Sequence, residues 1–167
     1  MNGAANHLAS LVGKQLHQSG LLIATCESCT GGLVAAALTA LPGSSQWFER
    51  GFVTYSNQAK QEMLGVPAAT LQLHGAVSEA TVLAMVAGGL DYSHAQIALA
   101  VSGIAGPGGA LPAKPVGMVC FAWAGVGLPS VSTTHHFSGD RGSVRHQAVM
   151  MALQGVLDFL AGESHVV

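Results

Sequence analysis

The chain has 167 residues, 50% of them hydrophobic and only 8% charged, with a formal net charge of −2. This length predicts a single domain over residues 1–167 with a substantial buried core, and this charge excludes a basic surface that would hold a nucleic acid. The apolar stretches are interrupted before the roughly 18 to 20 residues that a membrane span requires, so no membrane association is expected.

The first half of the chain predicts helices that alternate with strands. Apolar residues recur at helical spacing over residues 4–18, and a short apolar run of strand length follows at 21–26. The Ala-rich segment 33–41 has strong helix propensity. A second strand is expected within 48–55, and Ser56 can cap the helix after it.

The second half predicts a helix, three strands and a final helix. A helix over residues 78–90 precedes a buried strand at 97–101. Segments 116–124 and 131–137 predict two antiparallel strands joined by a short Gly-rich link, and the last helix starts near Asp140. This alternation with one hairpin predicts a three-layer α/β/α sandwich over a mixed, mostly parallel sheet of about five strands.

The cysteines and histidines carry no strong metal or redox signature. Cys26, Cys29 and Cys120 include one Cys-x-x-Cys pair, which is a weak signal, and free thiols are favoured. The eight histidines are scattered, and the adjacent His135 and His136 would face opposite sides of a strand. No metal is assigned.

The sparse charge also bears on assembly and location. A surface with so few charges exposes apolar atoms, so we expect a homo-oligomer, with a dimer favoured. The N-terminus shows no basic segment leading into an apolar run, so no signal peptide is visible and a cytoplasmic protein is expected.

Ser28 is the candidate nucleophile. Ligands of open α/β sheets bind beyond the carboxyl ends of the strands, and Ser28 lies there, before a Gly-Gly helix start. Backbone N–H groups around Thr30, Gly31 and Gly32 can face an anion at that helix N-terminus, so a nucleophile and an oxyanion site can share one turn. The alternative is that Ser28 or Thr30 simply caps the helix.

Lys60 is the candidate base. An amine enclosed in an apolar crevice has its charged form disfavoured and accepts a proton near neutral pH. The alternative is a solvated helix lysine. Tyr55, five residues earlier, can pass a hydrogen bond between the two groups or hold a substrate ring; a half-buried core tyrosine is equally compatible with the sequence.

A glycine-rich loop and two arginines complete the candidate site. The loop at residues 103–109 can approach a ligand through its backbone, although a plain surface turn is the alternative. Its spacing matches neither Gly-x-Gly-x-x-Gly nor the P-loop, so NAD and ATP are poorly supported. Arg141 and Arg145 fall at i and i+4 and can clamp a phosphate, unless Asp140 neutralises them.

Five motifs in order resemble the CinA C-terminal domain family over nearly the whole chain. They are Glu27-Ser28-Cys29-Thr30-Gly31-Gly32, Tyr55-Ser56-Asn57-x-x-Lys60, Gly103-Ile104-Ala105-Gly106-Pro107, Lys114-Pro115-Val116-Gly117 and Phe137-x-Gly139-Asp140-Arg141-x-x-Val144-Arg145. Each motif is weak by itself, but the combination is specific.

The resemblance implies a nicotinamide-nucleotide amidohydrolase of the stand-alone form, with nicotinamide mononucleotide as substrate and no cofactor. It implies that Ser28 is the nucleophile, Lys60 the general base and Tyr55 its companion. It also implies that the substrate-binding loop consists of Ser102, Gly103, Ile104, Ala105, Gly106 and Pro107.

Two departures from the family pattern leave other functions open. Cys26 stands where Ala is usual, and Ala110-Leu111 replaces Gly-Thr before Pro112. The lost threonine hydroxyl raises hydrolysis of another small amide as an alternative. A second alternative is a regulatory module that binds a pyridine nucleotide without turning it over.

Overall fold

The computed structural model describes residues 3–162, which form one sheet with helices on both faces. The helices are Gly3–Ser19 (α1), Leu33–Thr39 (α2), Asn57–Leu64 (α3), Ala68–His74 (α4), Glu79–Asp91 (α5) and Arg141–Leu160 (α6). The strands are Ile23–Glu27 (β1), Phe48–Val53 (β2), Ile97–Gly103 (β3), Met118–Gly125 (β4) and Val131–His136 (β5). Within this part of the chain, no helix is both long and apolar enough to cross a membrane.

The five strands are arranged in the order β2-β1-β3-β4-β5. β1 pairs in parallel with both β2 and β3, whereas β4 is antiparallel to β3 and to β5. Four of the five strands therefore point in the same direction, and the predicted mixed α/β/α sandwich is confirmed. The carboxyl ends of β1, β2 and β3 meet at one edge of the sheet.

The two faces of the sheet bury different side chains. Large residues such as Leu99, Phe121 and Trp123 pack against the side that carries α1, α2 and α6. The opposite face presents small residues, including Cys26 and Ala98, to the helices α3, α4 and α5. Because small side chains let a helix come close, α5 lies tightly against the sheet.

Gly88 in α5 gives a stability prediction, because a Cβ there would lie 1.9 Å from the Leu64 carbonyl oxygen. We expect Gly88→Ala to lower the free energy of unfolding by roughly 1–3 kcal/mol through overpacking. Gly142→Ala is the matched control: Gly142 is exposed in a helix, its Cβ would meet only Asp140 at 3.6 Å, and alanine favours helix. Urea denaturation measures both variants, and equal stability of the two would contradict the prediction.

The structure differs from the sequence predictions mainly at the ends of elements. The helix α4 was not predicted, since only Leu71 among its residues is buried and its apolar spacing is weak. Leu21 and Leu22 lie before β1 rather than in it. The Leu21 N–H donates to the Leu16 carbonyl and the Leu22 N–H to the Gln96 side chain, so neither N–H group joins the sheet ladder there.

Candidate active site

The candidate site lies at the carboxyl ends of the parallel strands. Ser28 directly follows β1, and its N–H donates to the Val101 carbonyl of β3 at 3.0 Å. Thr54 directly follows β2, and its N–H donates to the Glu27 carbonyl at 2.8 Å. These bonds extend the sheet ladder into the loops and hold the two chain segments side by side.

Lys60 reaches this edge from α3. Ser56 caps the helix by accepting a hydrogen bond from the Ala59 N–H at 3.0 Å, so the predicted cap is observed. Lys60 is only 1% exposed, and its Nζ donates to Ser28 Oγ at 3.0 Å and to the Thr54 carbonyl at 2.8 Å. A solvated helix lysine is therefore excluded.

The surroundings of Lys60 favour its neutral form. Burial lowers the pKa of the Lys60 amine to about 8, because the charged ammonium loses its hydration. An amine with this pKa is still mostly charged near physiological pH, but its neutral fraction is far larger than that of an ordinary lysine. Ser28 is 9% exposed beside it, so the structure places a mostly buried hydroxyl within hydrogen-bond reach of a buried amine.

The N-terminus of α2 is occupied by a side chain of the protein itself, which corrects one expectation. The Glu27 carboxylate, which is fully buried, accepts hydrogen bonds from the Thr30 hydroxyl and from the N–H groups of Gly32, Val34 and Ala35. Anions at a helix N-terminus are stabilised by just these donors. The expected anion site at this helix start is therefore filled by Glu27.

The same turn uses the Gly31 N–H internally. It donates to the Ser28 carbonyl at 3.0 Å, so Gly31 offers no free N–H to a ligand. The alternative that Ser28 or Thr30 caps α2 is also wrong: Gly32 occupies the cap position without a side-chain cap, and Glu27 supplies the acceptor.

Tyr55 does not lie between the serine and the lysine. Its side chain is 59% exposed, and its hydroxyl accepts a hydrogen bond from Arg141 Nη2 at 2.8 Å. Arg141 Nη1 also donates to the Gly106 carbonyl at 3.0 Å. The relay and the half-buried core tyrosine are both wrong, and Arg141 instead links Tyr55 to the glycine loop.

The glycine loop follows β3 beside Ser28. Ile104 and Ala105 are buried, so this part of the loop is not a plain surface turn. A Cβ on Gly106 would lie 2.5 Å from Val116 Cγ1, and its φ of 81° is in the left-handed region, so glycine is required there. Ser102 is buried behind the loop.

Ser102 has a structural partner. Its Oγ donates to the Ala76 carbonyl at 2.8 Å, just before the Ser78 cap of α5. This bond ties β3 to the start of α5, and a place for Ser102 in a substrate-binding loop stays a prediction.

The two arginines of α6 do not form a joint clamp. Arg145 Nε donates to the Cys29 carbonyl at 3.1 Å and Nη2 to the Thr30 carbonyl at 3.2 Å, while Arg141 turns to the glycine loop. Asp140 does not neutralise them; its carboxylate accepts the Ser143 N–H at 2.8 Å and caps α6.

The thiols near the site are free and inert. Burial raises the pKa of the Cys29 thiol to about 11 and also raises the pKa of the Cys26 thiol, so neither forms a thiolate near neutral pH. Among residues 3–162, no group of three His, Cys, Asp or Glu side chains is placed to hold a metal ion.

Two residues of the site were not singled out from the sequence. Glu27 stood in a motif without an assigned role, although a carboxylate just before a helix start is a known signal for binding the helix N-terminus. Thr54 contributes only a main-chain carbonyl to Lys60. No side-chain pattern could have indicated a backbone contact of this kind.

These features define an α/β protein with a hydrogen-bonded serine and lysine at the carboxyl ends of its parallel strands. The family model described as the CinA C-terminal domain matches residues 5–160, and the chain belongs to this family. The predicted membership is thus confirmed.

Relatives and solved structures agree with this assignment. The chain is 51% identical over 147 residues to nicotinamide-nucleotide amidohydrolase PncC of Escherichia coli, and this alignment covers 88% of the chain and 89% of the relative. It is 50% identical over 163 residues, 93% of this chain, to a putative competence-damage inducible protein of Symbiobacterium thermophilum, but it spans only 38% of that protein's length. The competence/damage inducible protein CihA of Agrobacterium tumefaciens superimposes with a TM-score of 0.93 at 42% identity, over 96% of this chain and 98% of CihA.

Proposed function

We propose that this protein is an amidohydrolase that converts nicotinamide mononucleotide into nicotinic acid mononucleotide and ammonia. The observation that carries the proposal is the hydrogen bond of 3.0 Å between Lys60 Nζ and Ser28 Oγ at the end of β1. The 51% identity to a relative named as a nicotinamide-nucleotide amidohydrolase supports the choice of substrate.

The first half of the reaction forms an acyl-enzyme. Neutral Lys60 takes the proton of the Ser28 hydroxyl, and Ser28 Oγ attacks the carboxamide carbon. The tetrahedral intermediate then loses its nitrogen as the C–N bond breaks, and the Lys60 ammonium returns the proton so that ammonia leaves. The cationic pyridinium ring of the substrate assists by withdrawing electron density from the amide.

The second half hydrolyses the ester. Lys60, neutral again, takes a proton from water as the water oxygen attacks the acyl carbon, and the ester C–O bond to Ser28 breaks. The proton returns to Ser28 and the pyridine carboxylate is released. No step requires a cofactor.

The glycine loop is our candidate for the oxyanion donors. Gly31 and Gly32 use their N–H groups within the protein, whereas those of Ala105 and Gly106 donate to no acceptor within the described range. Backbone donors aimed at the developing oxyanion lower the barrier of acyl transfer. In this proposal, Arg141 and Tyr55 border the same cleft, since Arg141 bonds both Tyr55 and Gly106.

The assay for this function follows ammonia from the purified protein with nicotinamide mononucleotide and a metal chelator present. We expect one ammonia for each nicotinic acid mononucleotide formed, detected by coupled glutamate dehydrogenase and by chromatography. Tight nucleotide binding without ammonia would instead support the regulatory module. If the protein neither binds the nucleotide nor releases ammonia, the result would support hydrolysis of another small amide. The exposed Leu111 at the altered loop is a reason to test that alternative.

We further propose that the whole chain is one CinA C-terminal-like domain that works in the cytoplasm as a homo-oligomer, with a dimer favoured. The match over residues 5–160 supports the single domain, and the three free cysteines suit a reducing compartment. Exposed apolar side chains such as Leu11, Val126 and Leu128 support an oligomer in which a second copy of the chain covers part of this surface. The net charge of −2 supports a partner other than nucleic acid.

A further inference from the structure

Arg145 contacts the turn that carries the candidate nucleophile. It is half-buried in the second turn of α6. Its Nε donates to the Cys29 carbonyl at 3.1 Å and its Nη2 to the Thr30 carbonyl at 3.2 Å. These are the two carbonyls that follow Ser28 in the chain.

The turn is held from two sides by opposite charges. The Glu27 carboxylate binds the Thr30 hydroxyl at 2.7 Å and the first N–H groups of α2, whereas the Arg145 guanidinium binds the carbonyls. Because a trans peptide unit is planar, a carbonyl fixed in direction fixes the whole unit and the backbone on either side of it. Arg145 thereby restrains the Cys29–Thr30 and Thr30–Gly31 peptide units, which begin one residue after Ser28.

Lys60 is anchored independently of this turn. Its Nζ donates to the Thr54 carbonyl at 2.8 Å, and Arg145 is not among the groups that shift the pKa of Lys60. A loss of the Arg145 contacts would therefore loosen the turn after Ser28, whose own N–H stays bonded to the Val101 carbonyl, while leaving the amine in place.

We propose that Arg145 is a positioning residue that holds the Ser28 hydroxyl against the Lys60 amine, and that it is not a ligand of the substrate phosphate. The inference rests on the proposed function, since it assigns Arg145 to the nucleophile of that reaction. A misplacement of about 1 Å in a catalytic geometry costs on the order of a hundredfold in rate. A guanidinium suits the task because its rigid fork bonds two acceptors at once.

The test compares Arg145→Ala and Arg145→Lys on two substrates. One is nicotinamide mononucleotide; the other is p-nitrophenyl acetate, which carries no phosphate. With the ester, Ser28 Oγ becomes acetylated, the ester C–O bond breaks and p-nitrophenolate leaves while Lys60 keeps the proton. We expect Arg145→Ala to lower kcat on both substrates by about a hundredfold, with little change in KM for the nucleotide. Arg145→Lys should recover only part of the rate, since an ammonium lacks the fork.

Two further readouts separate positioning from a general loss of structure. Added guanidinium chloride, below denaturing concentration, should restore part of the ester rate to Arg145→Ala but none to the Arg145→Ala, Ser28→Ala double variant. The pH midpoint of kcat/KM should stay near that of the wild-type protein. A shifted midpoint would mean that Arg145 acts on the Lys60 charge and would overturn the proposal. Normal rates per folded molecule, measured below the melting temperature, would also overturn it.

Arg141→Ala is the matched comparison, since Arg141 lies one turn earlier on α6 and contacts the glycine loop instead. We expect its loss to appear in KM for the nucleotide. If Arg145→Ala changes only the KM for the nucleotide and Ser28 is still acetylated at the normal rate, then Arg145 binds the substrate phosphate and the proposal is wrong.

The ester also separates this proposal from the amidohydrolase function. A wild-type protein that is acetylated at Ser28 but releases no ammonia fails as a deamidase, and the Arg145 variants still test positioning. A wild-type protein inactive on both substrates would overturn both proposals.

Discussion

The Ser28→Ala variant should lose ammonia release from nicotinamide mononucleotide by about 10⁴-fold or more. The hydroxyl is the only atom of the mechanism that bonds the acyl carbon, and an alanine offers Lys60 no proton to take. Ser28 is 9% exposed and its Oγ bonds only Lys60 among the described residues, so removal of one oxygen leaves the fold intact. Initial rates of ammonia release measure the loss.

Nucleotide binding is the control for this variant. Calorimetry should show that Ser28→Ala binds nicotinamide mononucleotide about as tightly as the wild-type protein, because the hydroxyl contributes to bond making rather than to recognition. Mass spectrometry should find an acyl adduct on the wild-type protein and none on the variant. Ammonia release at the wild-type rate would show that another group is the nucleophile.

The Lys60→Met variant should lose the rate by a hundredfold or more, through the loss of general-base assistance. Methionine fills a similar volume without an amine, so the cavity stays occupied. Since an amine buried at 1% exposure loses hydration, we expect the melting temperature of Lys60→Met to equal or exceed that of the wild-type protein. A loss of rate together with a retained melting temperature identifies a chemical role, whereas an unaltered rate would exclude Lys60 as the base.

The role of Lys60 as the base also predicts how kcat/KM of the wild-type protein depends on pH. In the folded protein the pKa of Lys60 lies at about 8, below its usual value, so the fraction of Lys60 that is neutral rises as the pH approaches 8. We expect kcat/KM to increase about tenfold per pH unit below 8 and to level off above it, because only the neutral amine accepts the Ser28 proton. In Lys60→Met this inflection should be absent.

Much of the fold followed from local patterns. Buried strands such as β3, whose residues are apolar up to Val101, and the Asp140 cap of α6 were indicated by composition and spacing. The short helix α4 was missed because its one buried residue, Leu71, leaves almost no periodic signal. The start of β1 was misplaced because the N–H groups of Leu21 and Leu22 bond a carbonyl of α1 and the Gln96 side chain instead of a neighbouring strand.

For the site, local patterns placed Ser28 and Lys60 in loops at strand ends, and family motifs suggested their roles. Spacing could not decide whether Ser28 is a helix cap or whether Lys60 is solvated, because both outcomes depend on groups that are distant in the chain. Lys60 is 32 residues from Ser28, and the two meet only because β1 and β2 are parallel neighbours.

By itself, the sequence determined the layered α/β architecture, the family and the residues from which a site could be built, since periodicity and short motifs are local properties. Only the tertiary structure decided the partners of the charged groups. Glu27 fills the helix N-terminus expected to bind an anion, and Arg145 binds two carbonyls instead of a phosphate. A buried charge takes whichever donors or acceptors packing brings to it, and packing depends on contacts across the whole chain.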